Sequence, residues 1–422
     1  MLDLKFVLKN RSLVEKNCRN RNITVDLDLI EKLAQKRSQV IQVIEQNRAK
    51  INKISKQTAI EKSKKETLIR EGRRFRELVK EKEAELKKIE IEFKEEFVKV
   101  PNLSHPETPI GFGENDNLEV EKVGKIKKFS FPPKNHLELG KTLDIIDFEA
   151  GAKVVGNKFY YLKNEAVFLE FALIQYAFEI LAKNGFQPFS TPDLAKLSII
   201  EGIGFAPRGP ETQIYRIEDS DLGLIATAEI ALGGMFRDSK IEIEQLPLKL
   251  SGFSHCFRTE AGAYGKASRG LYRVHQFSKV EMFVLTLPEN SDEMLKHLVD
   301  TEKEIYKGLG IPFRVVSSCT AELGASAYRK FDLEAWLPGE NRWGEITSAS
   351  NCTDYQARRL NIKIKKENQE AANFIHTLNG TAIAISRTLI AILENFQQAD
   401  GSIEIPQVLQ RFTRKKKISL RK

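Results

Sequence analysis

The sequence predicts an α+β protein, an N-terminal helical hairpin followed by a strand-rich domain with flanking helices. Three observations carry that reading. Residues 1 to 100 hold no proline and a single glycine, Gly72, a composition natural to long helices. The chain then changes abruptly to Pro101, Pro106, Pro109, Gly111 and Gly113, which is turn chemistry and marks a boundary. From Pro192 to about residue 350 the pattern is mainly the two-residue alternation of strands, with helical periodicity on either side.

In the hairpin, apolar residues at Leu33, Val40, Ile44, Ile51 and Ile54, and again at Leu68, Phe75, Leu86, Ile89 and Phe93, keep near-heptad spacing. Continuous helix is expected, paired as a coiled coil. The polar stretch from Gln57 to Glu66 interrupts the period, and a turn there folds the second helix back on the first. The first helix, Asp26 to about Ile60, should reach roughly 50 Å at 1.5 Å per residue. Residues 31 to 80 carry 15 Lys/Arg against 6 Asp/Glu, a net of +9 that equals the excess of the whole chain. A solvated lysine-rich face satisfies this pattern, and so does an arm that binds phosphates. Lys62, Lys64, Lys65, Arg70, Arg73, Arg74 and Arg76 lie in the far half of the hairpin, placed for backbone contacts to a nucleic acid.

Length and charge narrow the classes. A chain of 422 residues fits two or three domains, and a pI near 9.1 favours a polyanionic partner. No apolar run spans a bilayer and Met1 to Lys16 lacks a signal-peptide core, so no membrane is involved and the cytoplasm is the default. Cys18, Cys256, Cys319 and Cys352 lie far apart, which suggests reduced thiols and no zinc. Glu165 to Lys183 reads as a helix ending at Asn184-Gly185. A helical stretch follows Gly380, and the basic tail from Arg414 to Lys422 is expected to be disordered.

Chemistry concentrates in three segments. Phe257-Arg258-Thr259-Glu260, the Gly-rich stretch Ala261 to Leu271, and Tyr272 to Phe283 read as strand, loop, strand. On that reading Arg258 and Glu260 share a face, as do Arg273, Phe277 and Glu281. Guanidinium forks grip phosphate, an aromatic ring stacks on adenine, and a carboxylate accepts from its amine. No GxxxxGK[ST] and no GxGxxG after a strand is present, so side chains must hold the phosphates. The second segment, Ala382 to Leu393, is apolar except for Arg387; a buried arginine needs a carboxylate or a phosphate. In the third, Trp343 to Ser348, Glu345 and Thr347 should share a strand face suited to hydrated Mg²⁺.

These segments resemble motifs 2 and 3 and the glutamate-bearing strand of class II aminoacyl-tRNA synthetases, and the bacterial seryl members are the nearest in pattern. Thr227-Ala228-Glu229 resembles their serine-binding TxE, His275-Gln276-Phe277 their adenine-stacking strand, Asn351 to Arg359 a typical stretch, and Asn379-Gly380-Thr381 the start of motif 3. Glu165 to Pro192 resembles motif 1. The similarity runs from Met1 to about Phe412. It implies a tRNA-binding coiled-coil arm over 1–103, a linker over 104–117, a catalytic domain with an antiparallel sheet over 118–412, and a basic tail over 413–422.

By position, the resemblance implies ATP contacts from Arg258, Thr259, Glu260, Arg273, Val274, Phe277, Glu345, Ile346, Thr347, Ser348 and Arg387. Arg258, Arg387 and Glu345 would be catalytic, and Glu345 and Ser348 would ligate Mg²⁺. Thr227, Ala228, Glu229, Glu281, Asn379 and Thr381 would line a serine pocket, with Thr381 where the family usually has serine and Ala226 where glycine is common. The implied reaction is ATP-dependent activation of L-serine and its transfer to tRNA-Ser, recognised by its long variable arm, and to tRNA-Sec where present, in a homodimer. Threonyl or prolyl enzymes, ligases that load a carrier protein, and a non-catalytic RNA-binding paralogue are the competing readings. The arm argues against the carrier-protein ligases, and the retained Arg258, Glu260, Phe277, Glu345 and Arg387 argue against the paralogue.

Overall fold

Asp26 starts the arm: its Oδ1 accepts the backbone N–H of Leu29 at 2.9 Å and its carbonyl that of Ile30 at 3.2 Å, which caps the helix at its N-terminus. The structure, a computed structural model, describes residues 1–60, 62–205, 213–260, 270–365 and 373–420, with the side chain of Lys62 left out. The chain forms two compact units, Leu2–Pro101 and Asn102–Lys422. In the first, α1 (Leu27–Ile60) and α2 (Lys65–Phe97) are joined by the single turn Lys62–Lys64. Leu33, Val40 and Ile44 bury against Val79 and Ile89. Arg37–Glu90 at 3.0 Å and Arg48–Glu83 at 2.6 Å rung the two helices together in antiparallel order. Gly72 takes a buried place facing Ile54, where a Cβ would lie 3.5 Å from the isoleucine methyl. Phe75, expected in the seam, is only half-buried and lies under Lys50.

Continuous helix from the first residue does not occur. Leu4–Lys9 and Arg11–Asn20 are separate short helices. The Asn10 side chain donates to the Phe6 carbonyl at 2.9 Å, and Asn22 adopts a φ of 52°, so asparagines break the run where proline and glycine do not.

The second unit is built on one eight-stranded sheet. Its strands are β1 (Leu118–Val123), β2 (Gln187–Ser190), β3 (Leu248–Phe257), β4 (Gln276–Thr286), β5 (Phe313–Ser317), β6 (Arg329–Leu337), β7 (Arg342–Asn351) and β8 (His376–Ala384). The order is β1-β5-β6-β7-β8-β4-β3-β2, antiparallel throughout except for β2 beside β3. The main helices are α3 (His136–Thr142), α4 (Glu165–Lys183), α5 (Ala228–Gly234), α6 (Ser291–Leu309), α7 (Tyr355–Leu360) and α8 (Ile385–Asn395). Val280, Met282 and Val284 of β4 join the core beneath α4, α6 and α8, while Phe283 and Leu285 join a second core around α5 and α7. Alternation along β4 thus gives each face of the sheet its own layer.

Helix α6 interrupts the stretch expected to be mainly strands. Its apolar stripe, Leu295, Leu298, Val299 and Ile305, is buried, and Gly310 ends it at a φ of 71°; the i, i+3, i+4 spacing and the glycine cap are helical signals that outweigh the strand expectation. The segment after the boundary is tied down: Asn102 Nδ2 donates to the carbonyls of Ser326 at 2.8 Å and Cys352 at 2.9 Å. The four cysteines are buried and none is in a disulfide. Among the described residues no helix is long and apolar enough to cross a membrane.

The basic tail is not disordered through Leu420. Ile403 and Ile418 pair in a two-stranded sheet, Ile418 is fully buried, and Lys415 meets Glu165 at 2.7 Å. One apolar side chain in a core outweighs the tail's charge; Arg421 and Lys422 lie outside the described residues. Removing residues 415–422 should therefore cost about 2 kcal/mol of stability, read as a lower urea midpoint of the second unit.

Candidate functional site

Strand β3 ends at Phe257 and β4 begins at Gln276, so the two strands of the nucleotide-like segment are shorter than expected. One further ladder bond, from Arg258 N to His275 O at 2.9 Å, precedes Glu260, whose φ of 47° turns the chain away. Gly270–Tyr272 form a tight turn on the return. Arg258, Glu260 and Arg273 therefore do not sit on strand faces. They nevertheless line one cavity, together with Tyr272, Val274, Phe277, Lys279, Glu345, Ile346, Thr347, Thr381, Ala384, Ser386 and Arg387. Residues 261–269 of the expected Gly-rich stretch lie outside the described residues.

The Arg258 guanidinium lies 5.4 Å from the Phe277 ring and 5.7 Å from that of Phe205. Its Nε is buried with no hydrogen-bond partner among the described residues. A cation held by rings and keeping an unused donor is suited to an anion. Arg273 Nη1 donates to Glu260 Oε2 at 3.1 Å. Across the cavity Arg387 Nη1 donates to Glu345 Oε1 at 2.8 Å and to the Glu345 carbonyl at 3.2 Å, with the guanidinium 4.8 Å from the Tyr272 ring. Desolvation alone would raise the Glu345 carboxyl, but Arg387 and Lys330 outweigh it and hold it below the usual range. Tyr272 carries a second cation, Arg342 at 4.6 Å; the sequence reading assigned this tyrosine no role.

Glu345 and Thr347 do not share a face. Leu333 pairs with Thr347 and Glu334 with Glu345, which leaves Ile346 as an extra residue in β7. That bulge reverses the alternation. It brings Glu345 to the side of Ser348, which pairs with Asp332, and sends the Thr347 hydroxyl to Glu302 of α6 at 3.1 Å. Burial lifts Glu302 well above the ordinary carboxylate range. Glu345 and Ser348 share a face and offer hard oxygen donors, the type Mg²⁺ takes and a soft-ligand metal does not, but of the two only Glu345 is part of the cavity wall.

On the next strands Phe277, Lys279 and Glu281 alternate onto the same face. Glu281 pairs in register with Thr381 and Phe283 with Asn379. Lys279 forms an ion pair with Glu281, and Thr381 Oγ1 donates to Glu281 Oε2 at 3.3 Å. Thr227 caps α5, accepting from Glu229 N at 3.3 Å, and so presents Glu229 from the first turn. Glu229 Oε1 accepts from Gln356 Nε2 at 2.6 Å and Asn379 Nδ2 at 2.8 Å. Gln356, to which the resemblance gives no role, also accepts from Thr377 through its Oε1 at 2.6 Å. Ala228 instead faces the core around α5, and Thr259 is not part of the cavity wall.

Burial, then the neighbouring Glu281, push the Glu229 carboxyl up to about 7. A nearby cation is the partner that would relieve this.

The architecture and the cavity together match a known class of enzyme. Residues 214–396 match the family model for the tRNA synthetase class II core domain (G, H, P, S and T). Residues 1–104 match that for the seryl-tRNA synthetase N-terminal domain. A serine-tRNA ligase of Rubrobacter xylanophilus is 51% identical over 97% of this chain and 97% of its own. One of Treponema denticola is 53% identical over 97% and 98%. The crystal structure of seryl-tRNA synthetase from Pyrococcus horikoshii complexed with ATP superposes with a TM-score of 0.87 at 37% identity, covering 100% of both chains. The cytoplasmic serine-tRNA ligase from Naegleria fowleri in complex with AMP gives 0.79 at 32%, over 98% and 96%. The chain belongs to the seryl-tRNA synthetase family.

Because an acid whose folded pKa is raised destabilises the fold once ionised, stability should fall as pH rises from about 4.5 through about 7. Glu229→Gln should be neutral near pH 4.5 and stabilising by about 3 kcal/mol at pH 8, with urea unfolding across that range as the measurement. A stabilisation independent of pH would refute the buried-carboxylate account.

Proposed function

We propose that this cavity activates L-serine with ATP and that the enzyme then esterifies the 3′-terminal adenosine of tRNA-Ser. The observation that supports this best is the convergence of Arg258, Glu260, Phe277, Glu345 and Arg387 on one cavity whose wall residues Lys279 and Thr381 hold Glu281, itself close enough to the buried Glu229 to raise its carboxyl. Phe277 stacks on adenine and the Glu260 carboxylate accepts from its amine. Arg258 holds the α-phosphate, and Arg273 and Arg387 hold the β- and γ-phosphates. Mg²⁺, held by Glu345 and Ser348, supplies charge neutralisation to the phosphates when bound. A serine carboxylate oxygen attacks the α-phosphorus, the bond to the β,γ-unit breaks and pyrophosphate leaves. The arginines stabilise the charge that develops. The terminal ribose hydroxyl then attacks the adenylate carbonyl and AMP departs.

Glu229, raised to about 7, meets the serine ammonium, and Glu281 with Thr381 meets the hydroxyl. A pocket built to bond a hydroxyl can reject alanine by about 10⁴-fold. Threonine differs by one methyl, worth about 1–3 kcal/mol, so close fit must exclude it.

The arm is read as the tRNA grip, directed at the long variable arm. Lys64, Lys65, Arg70, Arg73, Arg74 and Arg76 are exposed, as phosphate contacts require. The exposed apolar side chains Val154, Val155, Phe168 and Phe171 support a homodimer built on the α4 region.

ATP–pyrophosphate exchange with serine, threonine, alanine and no amino acid tests the reading; exchange confined to serine is the expected outcome, and none in a folded protein would favour a non-catalytic paralogue. Arg387→Ala should lower serine-dependent exchange at least about tenfold, whereas unchanged exchange would make Arg387 structural. Replacing Arg70, Arg73, Arg74 and Arg76 by alanine should spare exchange while weakening tRNA binding and flattening its salt dependence; equal loss of both steps would sink the arm assignment.

A further inference from the structure

A buried histidine stands one layer behind the cavity, in none of the roles above. His136 opens α3 and is 1% exposed. Its Nδ1 lies 3.1 Å from Glu394 Oε1, which also accepts the His136 backbone N–H at 3.0 Å. Gly339 N donates to the other carboxylate oxygen at 3.0 Å. On the far side of the ring, Nε2 faces the backbone N–H of Leu271 at 3.3 Å. These partners assign a neutral imidazole with its proton on Nδ1, donating to Glu394 and accepting from Leu271. Glu340 Oε1 lies 3.9 Å from Nδ1 as well, so both ring nitrogens have partners within the protein.

What this joins matters for the cavity. Glu394 and Arg387 stand seven residues apart on α8, two turns along one face. Leu271 leads directly into Tyr272, Arg273 and Val274, all on the cavity wall. Gly270, at a φ of 64°, lies so close to the imidazole that a Cβ would come within 2.2 Å of Nε2; the chain is seated on the ring. The Tyr272 ring then meets the Arg387 guanidinium at 4.8 Å. One helix thus carries Arg387 at one end and, through Glu394 and His136, anchors the chain segment that faces it.

We propose that His136 is a positioning residue for the nucleotide: it fixes Tyr272–Val274 against Arg387, so that both halves of the triphosphate grip share one frame. The inference rests on the cavity being the ATP site. Loss of a purely stabilising histidine would lower the melting temperature and leave the two substrates' KM values unchanged or shifted alike.

The test is serine-dependent pyrophosphate exchange on the full chain, varying ATP at saturating serine and the reverse, for wild type, His136→Ala and Gly270→Ala. His136→Ala should raise KM for ATP at least about fivefold and KM for serine less than about twofold. Added imidazole should recover part of the loss, and the Leu271 amide should exchange its hydrogen at least about tenfold faster. Gly270→Ala leaves His136 and Glu394 in place and pushes the segment off the ring, so it should reproduce the ATP-selective effect even where His136→Ala does not fold. Unchanged KM for ATP in a folded variant, or equal shifts for both substrates, would overturn the role of His136 alone. Wild type without saturable ATP dependence would overturn the ATP reading and this inference with it.

Discussion

The register of four neighbouring strands, β3, β4, β8 and β7, is the constraint on which the site depends. Paired residues in an antiparallel ladder share a face, so Phe277, Lys279, Glu281, Asn379 and Thr381 meet only because Glu281 lies opposite Thr381 and Phe283 opposite Asn379. Two bulges adjust this pattern. The extra residue in β7, Ile346, returns Glu345 to the face of Ser348. The one in β8, between Thr381 and Ile383, gives Ala382 and Ile383 to the core just before α8 begins. A slip of one residue would bury the charges and expose the core.

Charge compensation is the second organising feature. Each ionised group in the cleft is either held by an opposite charge or left with a deficit that a substrate can fill. Glu345 has Arg387, Glu260 has Arg273 and Glu281 has Lys279. Arg258 keeps an unused buried donor, and Glu229 is buried beside another carboxylate. The two deficits have opposite sign, which suits a site that receives a phosphate and an ammonium together. Such groups cost folding stability until the ligands arrive.

Much of this was legible in the residues. The helical hairpin was written in heptad spacing and in the absence of proline. The phosphate-gripping set was legible because arginines, an aromatic and carboxylates cluster within short segments around residues 258–281 and at Arg387. The resemblance to the synthetase motifs placed Glu229 and Asn379 in one pocket, although they stand 150 residues apart. Other features were not legible. A bulge leaves no periodic mark, so Thr347 looked like a neighbour of Glu345. His136 reads as a single histidine at a helix start, and Tyr272 as one aromatic in a strand.

The sequence by itself determined composition, charge and local period, and with them the arm, the boundary near Pro101 and the residue types of the site, because these depend on neighbours within a few turns of chain. Tertiary structure alone decided which face each side chain took, that Ile418 draws a basic tail into a core, and that Glu394 reaches Leu271 through an imidazole. Those outcomes depend on contacts beyond a few turns of chain, from the 15 residues that separate Ile403 and Ile418 to the 258 between His136 and Glu394, where burial and hydrogen-bond satisfaction outweigh local preference.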